Sequence, residues 1–374
     1  MLRTLFPLET AASFTLRLFG GGIAACALIA IAALLLRRLS TREPSQGSRT
    51  LPRWSAASKA RRLPTRLAKV AAAGVLLVAG GWAFLHATKP AWLRAALATP
   101  VPVPRSDFGG WTARAPGLET GDIELTIDGR WIDHIALSRL DPRRYRFTVH
   151  WDATRSRTVE EWQQALGASL VINGSYFLPD GSPQTPLRLD GRAAGPARYT
   201  SLHGGFVAGD GVANGVAILD LKGKDVLPAI APFPQAMVSY PLLLDEAGEV
   251  RAPATREWLA SRTFIALDGE GRVVVGTTRS GFFTLRRLGE YLKASPLGLR
   301  VALNFDGGPI ASQIVKTDAF ERVTIGNAEI TDGGDVARVW WQAHRTSRWR
   351  LPIVLAATPR EADAASAAGA PARP

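Results

Sequence analysis

The residues best suited to chemistry are an aspartate and an asparagine, each placed where a short apolar run meets glycine. Asp306 lies just after the apolar strand residues 301–303 and precedes a pair of glycines. A carboxylate at the end of a buried strand is partly shielded from water yet faces a cleft, so it suits acid–base or nucleophilic work. Asn173 follows an apolar run in the same way and precedes Gly174. Either turn signal alone is common, whereas the two together indicate an enzyme site.

Short strands and a few helices must position these two residues. Thr158 and Glu161 have the spacing of a capping box, which predicts a helix that ends before the strand into Asn173. Thr284 is placed to cap a second helix, which leads to the strand before the aspartate. Apolar runs and Asp-Gly turns predict strands and hairpins at 123–127, 131–137, 145–151, 187–191, 206–211, 263–267 and 272–277. The sequence therefore predicts an α+β domain, rich in mostly antiparallel strands, with a few short helices.

The first hundred residues have the pattern of a membrane anchor and not that of a globular domain. Residues 18–36 and 70–87 are uncharged apolar runs, long enough to cross a bilayer as helices. The segment 37–69 between them has ten basic residues against the single acid Glu43, which is +9 of the formal +13 of the chain. Positive loops stay in the cytoplasm, so the pattern predicts two transmembrane helices, a lipid bilayer as partner, and a bacterial inner-membrane protein with its remaining chain in the periplasm. Because this accounts for most of the charge, nucleic acid is not an expected partner.

These features divide the chain into predicted segments. They are a short N-terminal segment (1–17), a transmembrane helix (18–36), a basic cytoplasmic loop (37–69), a second transmembrane helix (70–87), a Pro-rich linker (88–109), a folded domain (110–357) and a disordered tail (358–374). A rival interpretation makes the second apolar run a signal peptide that is cleaved near 96–98, which still exports the domain. The single cysteine, Cys26, lies in the first apolar run, so the exported domain is predicted to lack disulfides and thiol nucleophiles.

Several short motifs occur in a fixed order along the predicted domain. They are Asn-Gly-Ser-Tyr-Phe at 173–177 with a Gly/Pro loop at 180–183, Arg-Thr at 262–263, Thr-Leu at 284–285, and Ala-Leu-Asn-Phe-Asp-Gly-Gly at 302–308. In this order they resemble the phosphodiester glycosidase family, over roughly residues 120 to 330. The residues that follow, 309–312, depart from the small residues and serines that are usual in the family.

The resemblance implies hydrolysis of a sugar 1-phosphodiester at the anomeric carbon, through an oxocarbenium-like transition state. It implies Asp306 as the catalytic carboxylate, with Asp268 as the predicted second acid and Asp190 or Asp180 as alternatives. The phosphate calls for a cation with forked donors, so two arginines are included among the substrate-binding residues. The predicted substrate-binding residues are Asn173, Gly174, Tyr176, Phe177, His203, Arg262, Thr263, Arg279, Gly307 and Gly308. No metal or cofactor is expected, because no histidine pair or acid cluster has metal-ligand spacing.

The leading hypothesis is a membrane-anchored hydrolase that faces the periplasm, a glycosidase acting on a glycosyl phosphodiester or a related envelope saccharide. The alternative is a non-catalytic saccharide-binding or assembly module of an envelope polysaccharide system, which would use the same cleft. A third class, a structural membrane protein that docks a partner, would need a large exposed apolar patch. A perturbed Asp306 beside a cation favours the enzyme, whereas a cleft lined only by aromatic side chains favours binding.

Overall fold

The computed structural model describes residues 74–76, 78–81, 83, 90–199, 203–254, 258–331 and 349–360. Almost all of them belong to one compact unit, which begins at Pro90. Within these ranges no helix is long and apolar enough to cross a membrane, which takes about 20 residues. The fold class predicted from the sequence included two transmembrane helices, and this part of the prediction is contradicted. The predicted helix 18–36 lies outside the described residues. Within 70–87 the described residues are 74–76, 78–81 and 83, and they are helical.

The remainder of the predicted fold class is confirmed, because the domain is rich in strands and has few helices. The helices are α1 (Ala91–Leu97), α2 (Val159–Leu166), α3 (Val226–Ile230) and α4 (Leu285–Ala294). In chain order, the strands are β1 (Arg105–Phe108), β2 (Thr112–Ala115), β3 (Leu118–Ile127), β4 (Arg130–Leu140), β5 (Tyr145–Trp151), β6 (Leu170–Asn173), β7 (Leu187–Leu189), β8 (Arg192–Ala194), β9 (Gly204–Ala208), β10 (Val216–Asp220), β11 (Gln235–Ser239), β12 (Leu242–Leu244), β13 (Trp258–Ala260), β14 (Thr263–Asp268), β15 (Val273–Thr278), β16 (Leu299–Asn304), β17 (Ser312–Thr317), β18 (Phe320–Ile325), β19 (Glu329–Thr331) and β20 (Ile353–Pro359).

The strands form three larger sheets and one ribbon. The first sheet has eight strands in the order β1-β3-β4-β15-β14-β16-β12, with β2 also paired to β3. The second has the order β10-β9-β11-β7-β8, the third has the order β18-β17-β6-β20-β5, and β13 pairs with β19 as a two-stranded ribbon. The paired strands are antiparallel throughout these sheets. Tight hairpins such as β14–β15 account for many of these pairs, because antiparallel neighbours need only a short connection.

One buried cluster of side chains joins the three larger sheets. It includes Ile265 of β14 and Leu303 of β16 from the first sheet, Phe206 of β9 from the second, and Ile172 of β6 and Leu355 of β20 from the third. Successive strand residues point to opposite faces, so every second residue of these strands enters this core. Each fully buried side chain of this size stabilises the fold by roughly 1.5–3 kcal/mol.

The two helices predicted from capping residues are present and begin where the sequence indicates. The Thr158 hydroxyl accepts a hydrogen bond from the Glu161 N–H, and the Glu161 carboxylate accepts one from the Thr158 N–H, which completes the capping box of α2. The Thr284 hydroxyl accepts from the N–H of Arg287 at the start of α4. Val159 and Trp162 of α2 pack on the outer face of the third sheet.

The ends of β6 and β16 meet although they belong to different sheets. The N–H of Asp306, just beyond β16, donates to the carbonyl of Gly174, just beyond β6, at 3.1 Å. The N–H of Phe305 donates to the carbonyl of Thr263 at the start of β14, at 2.8 Å. The fold therefore brings the two motif residues identified from the sequence to one junction.

Candidate active site

Asn173 ties together the strands that meet at this junction. Its side-chain oxygen accepts hydrogen bonds from the Thr263 hydroxyl at 2.7 Å and from the Ser312 N–H at 2.9 Å. Its side-chain nitrogen donates to the backbone carbonyl of Asp306 at 2.8 Å. Both Asn173 and Thr263 are fully buried. The structure therefore places these two predicted binding residues beneath the site, where they position Asp306.

Asp306 lies just beyond β16 at this junction and is half-buried. Its side-chain Oδ1 accepts a hydrogen bond from the N–H of Gly307 at 2.8 Å. Burial raises the pKa of the Asp306 carboxyl to about 7, and the like charge of Glu329 adds to that rise. The hydrogen bond from Gly307 and the charge of Arg262 oppose it. A carboxyl that exchanges its proton near neutral pH can serve as a general acid or base.

Arg262 supplies a buried positive charge beside this carboxyl. The residue is only 4% exposed, and its Nε and Nη2 donate to the backbone carbonyls of Phe283 and Trp258 at 3.2 and 2.6 Å. A Cβ added to Gly307 would lie 3.5 Å from Nη1, so the third guanidinium nitrogen is directed at the glycine pair. Burial lowers the pKa of Arg262, but an arginine of this kind stays protonated at neutral pH. The two carbonyls therefore hold the guanidinium in one orientation next to Asp306.

Glu329 is the second acid of the cluster, and sequence reasoning missed it. It begins β19, and its Oε1 accepts a hydrogen bond from the Trp258 indole at 3.1 Å. Gly308 has a φ of +70°, and a Cβ there would lie 2.9 Å from Glu329 Oε2. The glycine is therefore required both by the backbone conformation and by the carboxylate packed against it. No motif marked Glu329, because its place depends on the pairing of β13 with β19, which are far apart in the chain.

Tyr176 is held in place by two residues that the sequence analysis did not select. Its hydroxyl donates to the carbonyl of Tyr240 at 2.7 Å and accepts a hydrogen bond from the side chain of Asn304 at 2.9 Å. Burial raises the pKa of the Tyr176 hydroxyl well above its ordinary value, and the charge of Asp306 adds to this. The phenol therefore remains neutral, and the influence of the Asp306 charge on its pKa indicates that the two residues are neighbours. Phe177, by contrast, packs against the main core.

Two further predicted binding residues are His203 and Arg279. His203 is 4% exposed, precedes β9, and has its ring 5.4 Å from that of Tyr199. The Arg279 side chain is exposed, while its backbone carbonyl accepts hydrogen bonds from the Ser261 hydroxyl and from the N–H of Asn327. Among the described contacts, none joins the Arg279 side chain to Asp306. Arg262 is therefore the arginine that the structure brings to the carboxyl.

The predicted pairing of Asp306 with Asp268 does not hold in the structure. Asp268 ends β14, whereas Thr263 at the other end of that strand is the residue next to the site. At ~3.3 Å per residue, the strand separates the two positions by about 16 Å. Asp268 instead accepts hydrogen bonds from the N–H groups of Glu270 and Arg272 and pairs with the Arg272 guanidinium at 2.9 Å. It organises a hairpin turn.

The two alternative acids are also engaged elsewhere. Asp190 accepts a hydrogen bond from the Gln235 side chain at 2.6 Å in the turn between β7 and β8. Asp180 accepts from the N–H and the hydroxyl of Ser182 in an exposed loop. Within the described ranges, no group of three or more His, Cys, Asp or Glu residues is arranged to hold a metal ion. The residues around Asp306 thus form an acid–arginine cluster. It consists of two acids, one buried arginine and a neutral tyrosine, namely Asp306, Glu329, Arg262 and Tyr176.

Comparison with known proteins agrees with the motifs. Residues 166–339 match the model of the phosphodiester glycosidase family, which confirms the resemblance predicted from the sequence. This range contains every residue of the acid–arginine cluster. No curated protein is a significant match to the chain.

Several solved structures resemble this one at low identity. The catalytic domain of zebrafish N-acetylglucosamine-1-phosphodiester alpha-N-acetylglucosaminidase, auto-inhibited by its pro-peptide, has 18% identity and a TM-score of 0.45, over 74% of this chain and 93% of that one. A hypothetical protein from Synechocystis has 15% identity and a TM-score of 0.42, over 69% of this chain and 64% of that one. Both similarities are too distant to carry an argument about this chain.

Proposed function

We propose that this protein is a hydrolase that cleaves a sugar 1-phosphodiester at the anomeric carbon. The observation that carries the proposal is the half-buried Asp306 carboxyl, whose pKa is about 7, beside the buried guanidinium of Arg262. A carboxyl with a perturbed pKa beside a fixed cation is a candidate for catalysis. The family match over residues 166–339 supports the same class of reaction.

Each residue of the cluster has a role in this reaction. The bond between C1 and the bridging phosphate oxygen breaks, and its electron pair stays on that oxygen. Water adds to C1 and gives a proton to the Asp306 carboxylate, so the products are a free sugar and a phosphate monoester. Arg262 neutralises charge that develops on the departing phosphate. Because a phosphate is a good leaving group, the main demand is for a base.

Glu329 has two roles in this reaction. Its negative charge raises the pKa of Asp306 and therefore the affinity of that carboxylate for the proton of water. Two carboxyl groups near C1 also stabilise the positive charge of an oxocarbenium-like transition state. Tyr176 remains neutral, and its hydroxyl proton is already donated to Tyr240, so towards the sugar its oxygen can only accept a hydrogen bond from a hydroxyl group.

The test is hydrolysis of sugar 1-phosphodiesters by the full-length protein, with free reducing sugar as the readout. The substrates vary in the hexose and in the alcohol on the phosphate. We expect turnover by the wild type and by Asp128→Asn, an exposed turn aspartate that serves as control. Asp306→Asn should lose about a hundredfold to ten-thousandfold, the usual contribution of a general base. Absence of turnover by the wild type with every substrate would reject the proposal.

The alternative function is a non-catalytic saccharide-binding or assembly module. It predicts that the wild type and Asp306→Asn bind saccharide equally and that neither releases sugar. An envelope saccharide as partner and a periplasmic location stay predictions. Activity of alkaline phosphatase fused after residue 374 tests the location, since that enzyme matures only outside the cytoplasm.

A further inference from the structure

A groove lies beside Trp151, at the end of β5. Its volume is about 640 Å³, within the range of pockets that bind small ligands. The loop 152–157 forms one side of the groove, and Asp190 in the turn between β7 and β8 forms the other. Asp306 is not among the residues that line it. The groove is therefore a separate feature from the acid–arginine cluster.

Trp151 presents a fixed aromatic surface in this groove. The residue is 38% exposed, and its indole N–H donates to the carbonyl of Gly181 at 2.9 Å. That hydrogen bond fixes the orientation of the ring, so little conformational entropy is lost when a ligand covers it. A pyranose has C–H groups on its faces and hydroxyl groups around its rim. A rigid indole with polar neighbours matches that distribution of apolar and polar groups.

The polar groups around the indole favour an uncharged ligand with hydroxyl groups. Asp190 has one carboxylate oxygen held by Gln235 at 2.6 Å, which orients the carboxylate. Asp152 is paired with Arg157 at 3.3 Å, so the charge of that arginine is balanced within the loop. An incoming anion would meet Asp190 without gaining an unbalanced cation. Carboxylate and hydroxyl oxygens in the lining can accept hydrogen bonds from sugar hydroxyls.

The groove is joined to the candidate active site through the backbone. Trp151 pairs with Ile353 of β20, and the N–H of Gly174 donates to the carbonyl of Ile353 at 2.8 Å. The carbonyl of Gly174 in turn accepts from the N–H of Asp306 at 3.1 Å. Two strand spacings of ~4.8 Å separate Trp151 from Gly174, which is about 10 Å. A saccharide of a few units spans such a distance.

We infer that this groove is an accessory subsite for a neutral saccharide, with Trp151 as the stacking surface and Asp190 as a hydrogen-bond acceptor. The inference rests on the proposed function for the class of substrate and extends it. The substrate carries at least one sugar unit in addition to the hexose whose C1 bond is cleaved. The subsite increases affinity for such longer substrates.

The test is equilibrium binding of neutral oligosaccharides to the full-length protein, measured by calorimetry. The probes are maltotetraose, cellotetraose and chitotetraose, and the variants are Trp151→Ala and Asp190→Asn. Asn is well tolerated at Asp190, where φ is 48°. The matched control is Trp131→Ala, because Trp131 is 44% exposed, donates its indole N–H to Glu124 at 2.6 Å, and lies outside the groove.

We expect the wild type and Trp131→Ala to bind at least one probe with the same affinity. Trp151→Ala should weaken that binding by about tenfold or more, as removal of a central aromatic contact does. Asp190→Asn should weaken that binding by a smaller factor. If Trp151→Ala does not fold, the affinity of Asp190→Asn tests the inference. Binding of no probe by the wild type, or equal binding by the folded variants and the control, overturns the inference. Because no turnover is involved, a failure of hydrolysis would reject the proposed function and leave this result intact.

Discussion

Glu329 acts on Asp306 across a pair of glycines, although the two acids come from different strands. Asp306 follows β16 and Glu329 begins β19, and the glycine pair 307–308 lies against both. The like charge of Glu329 contributes to the raised pKa of Asp306, after the larger effect of burial. A neighbouring negative charge disfavours the ionised form of a carboxyl, so Asp306 holds its proton more tightly.

The pH dependence of kcat/KM should report the proton on Asp306. Because the base must be unprotonated, kcat/KM should rise with pH and level off above the raised pKa of about 7. Glu329→Gln removes the like charge, so the rising limb should move to lower pH by up to about one unit. Initial rates from pH 5 to 9 check this. A rising limb at the same pH in both proteins would contradict the coupling of the two acids.

Arg262→Lys should lower kcat/KM by about a hundredfold or more, although it conserves the charge. A lysine cannot donate to the carbonyls of Phe283 and Trp258 and also direct a forked donor at phosphate. Hydrolysis rates are measured beside those of Arg143→Lys, because the Arg143 side chain is 73% exposed and lies outside the cluster. Full activity of Arg262→Lys would show that a point charge is sufficient.

Gly308→Ala should reduce activity more than its effect on stability explains. Its φ of +70° is unfavourable for alanine, and the added Cβ would lie 2.9 Å from the Glu329 carboxylate. Gly298→Ala is the matched control, because Gly298 has a φ of +63° and open space around it. We expect Gly298→Ala to lose about 1–2 kcal/mol in urea unfolding from its backbone conformation alone. Gly308→Ala should lose somewhat more because of the contact with Glu329, and it alone should lose about tenfold or more in kcat/KM. Equal rates for the two variants would argue against a role for Glu329.

Asp133→Asn should reduce the dependence of stability on pH. Asp133 is fully buried, and its Oδ1 accepts hydrogen bonds from the N–H groups of His134, Arg279 and Ser280. Burial nevertheless raises the pKa of this carboxyl from 3.8 to about 7. The folded state therefore binds more protons than the unfolded state between these values. Stability is lost as the pH rises through this window, by up to about 1.4 kcal/mol per pH unit.

An asparagine resembles the protonated aspartic acid and does not titrate, so it removes this contribution. Urea unfolding at pH 5 and pH 8 measures the difference between Asp133→Asn and the wild type. Asp128→Asn, at an exposed turn, should leave the difference unchanged. Equal losses of stability between pH 5 and pH 8 in Asp133→Asn and in the wild type would contradict the prediction. They would show that the Asp133 carboxyl is ionised in the folded state at both pH values.

Part of this fold was predictable because it depends on neighbouring residues. The caps at Thr158 and Thr284 involve hydrogen bonds over three residues, so the sequence shows where α2 and α4 begin. The β14–β15 hairpin is similar, because the Asp268 turn is stabilised by N–H groups two and four residues later. The apolar runs at 18–36 and 70–87 supported a membrane anchor, and the described residues contain no helix able to form one.

The sequence by itself determined the strand-rich class, the family resemblance, and Asp306 and Arg262 as residues of interest. Only the tertiary structure decided which groups meet. It placed Asp268 at the far end of β14, Asn173 beneath the site, and Glu329 beside the glycine pair. Local hydrogen bonds and apolar periodicity are set by residues close in the chain. Distances between side chains of different strands depend on strand pairing and on the packing of the whole core, which no single segment encodes.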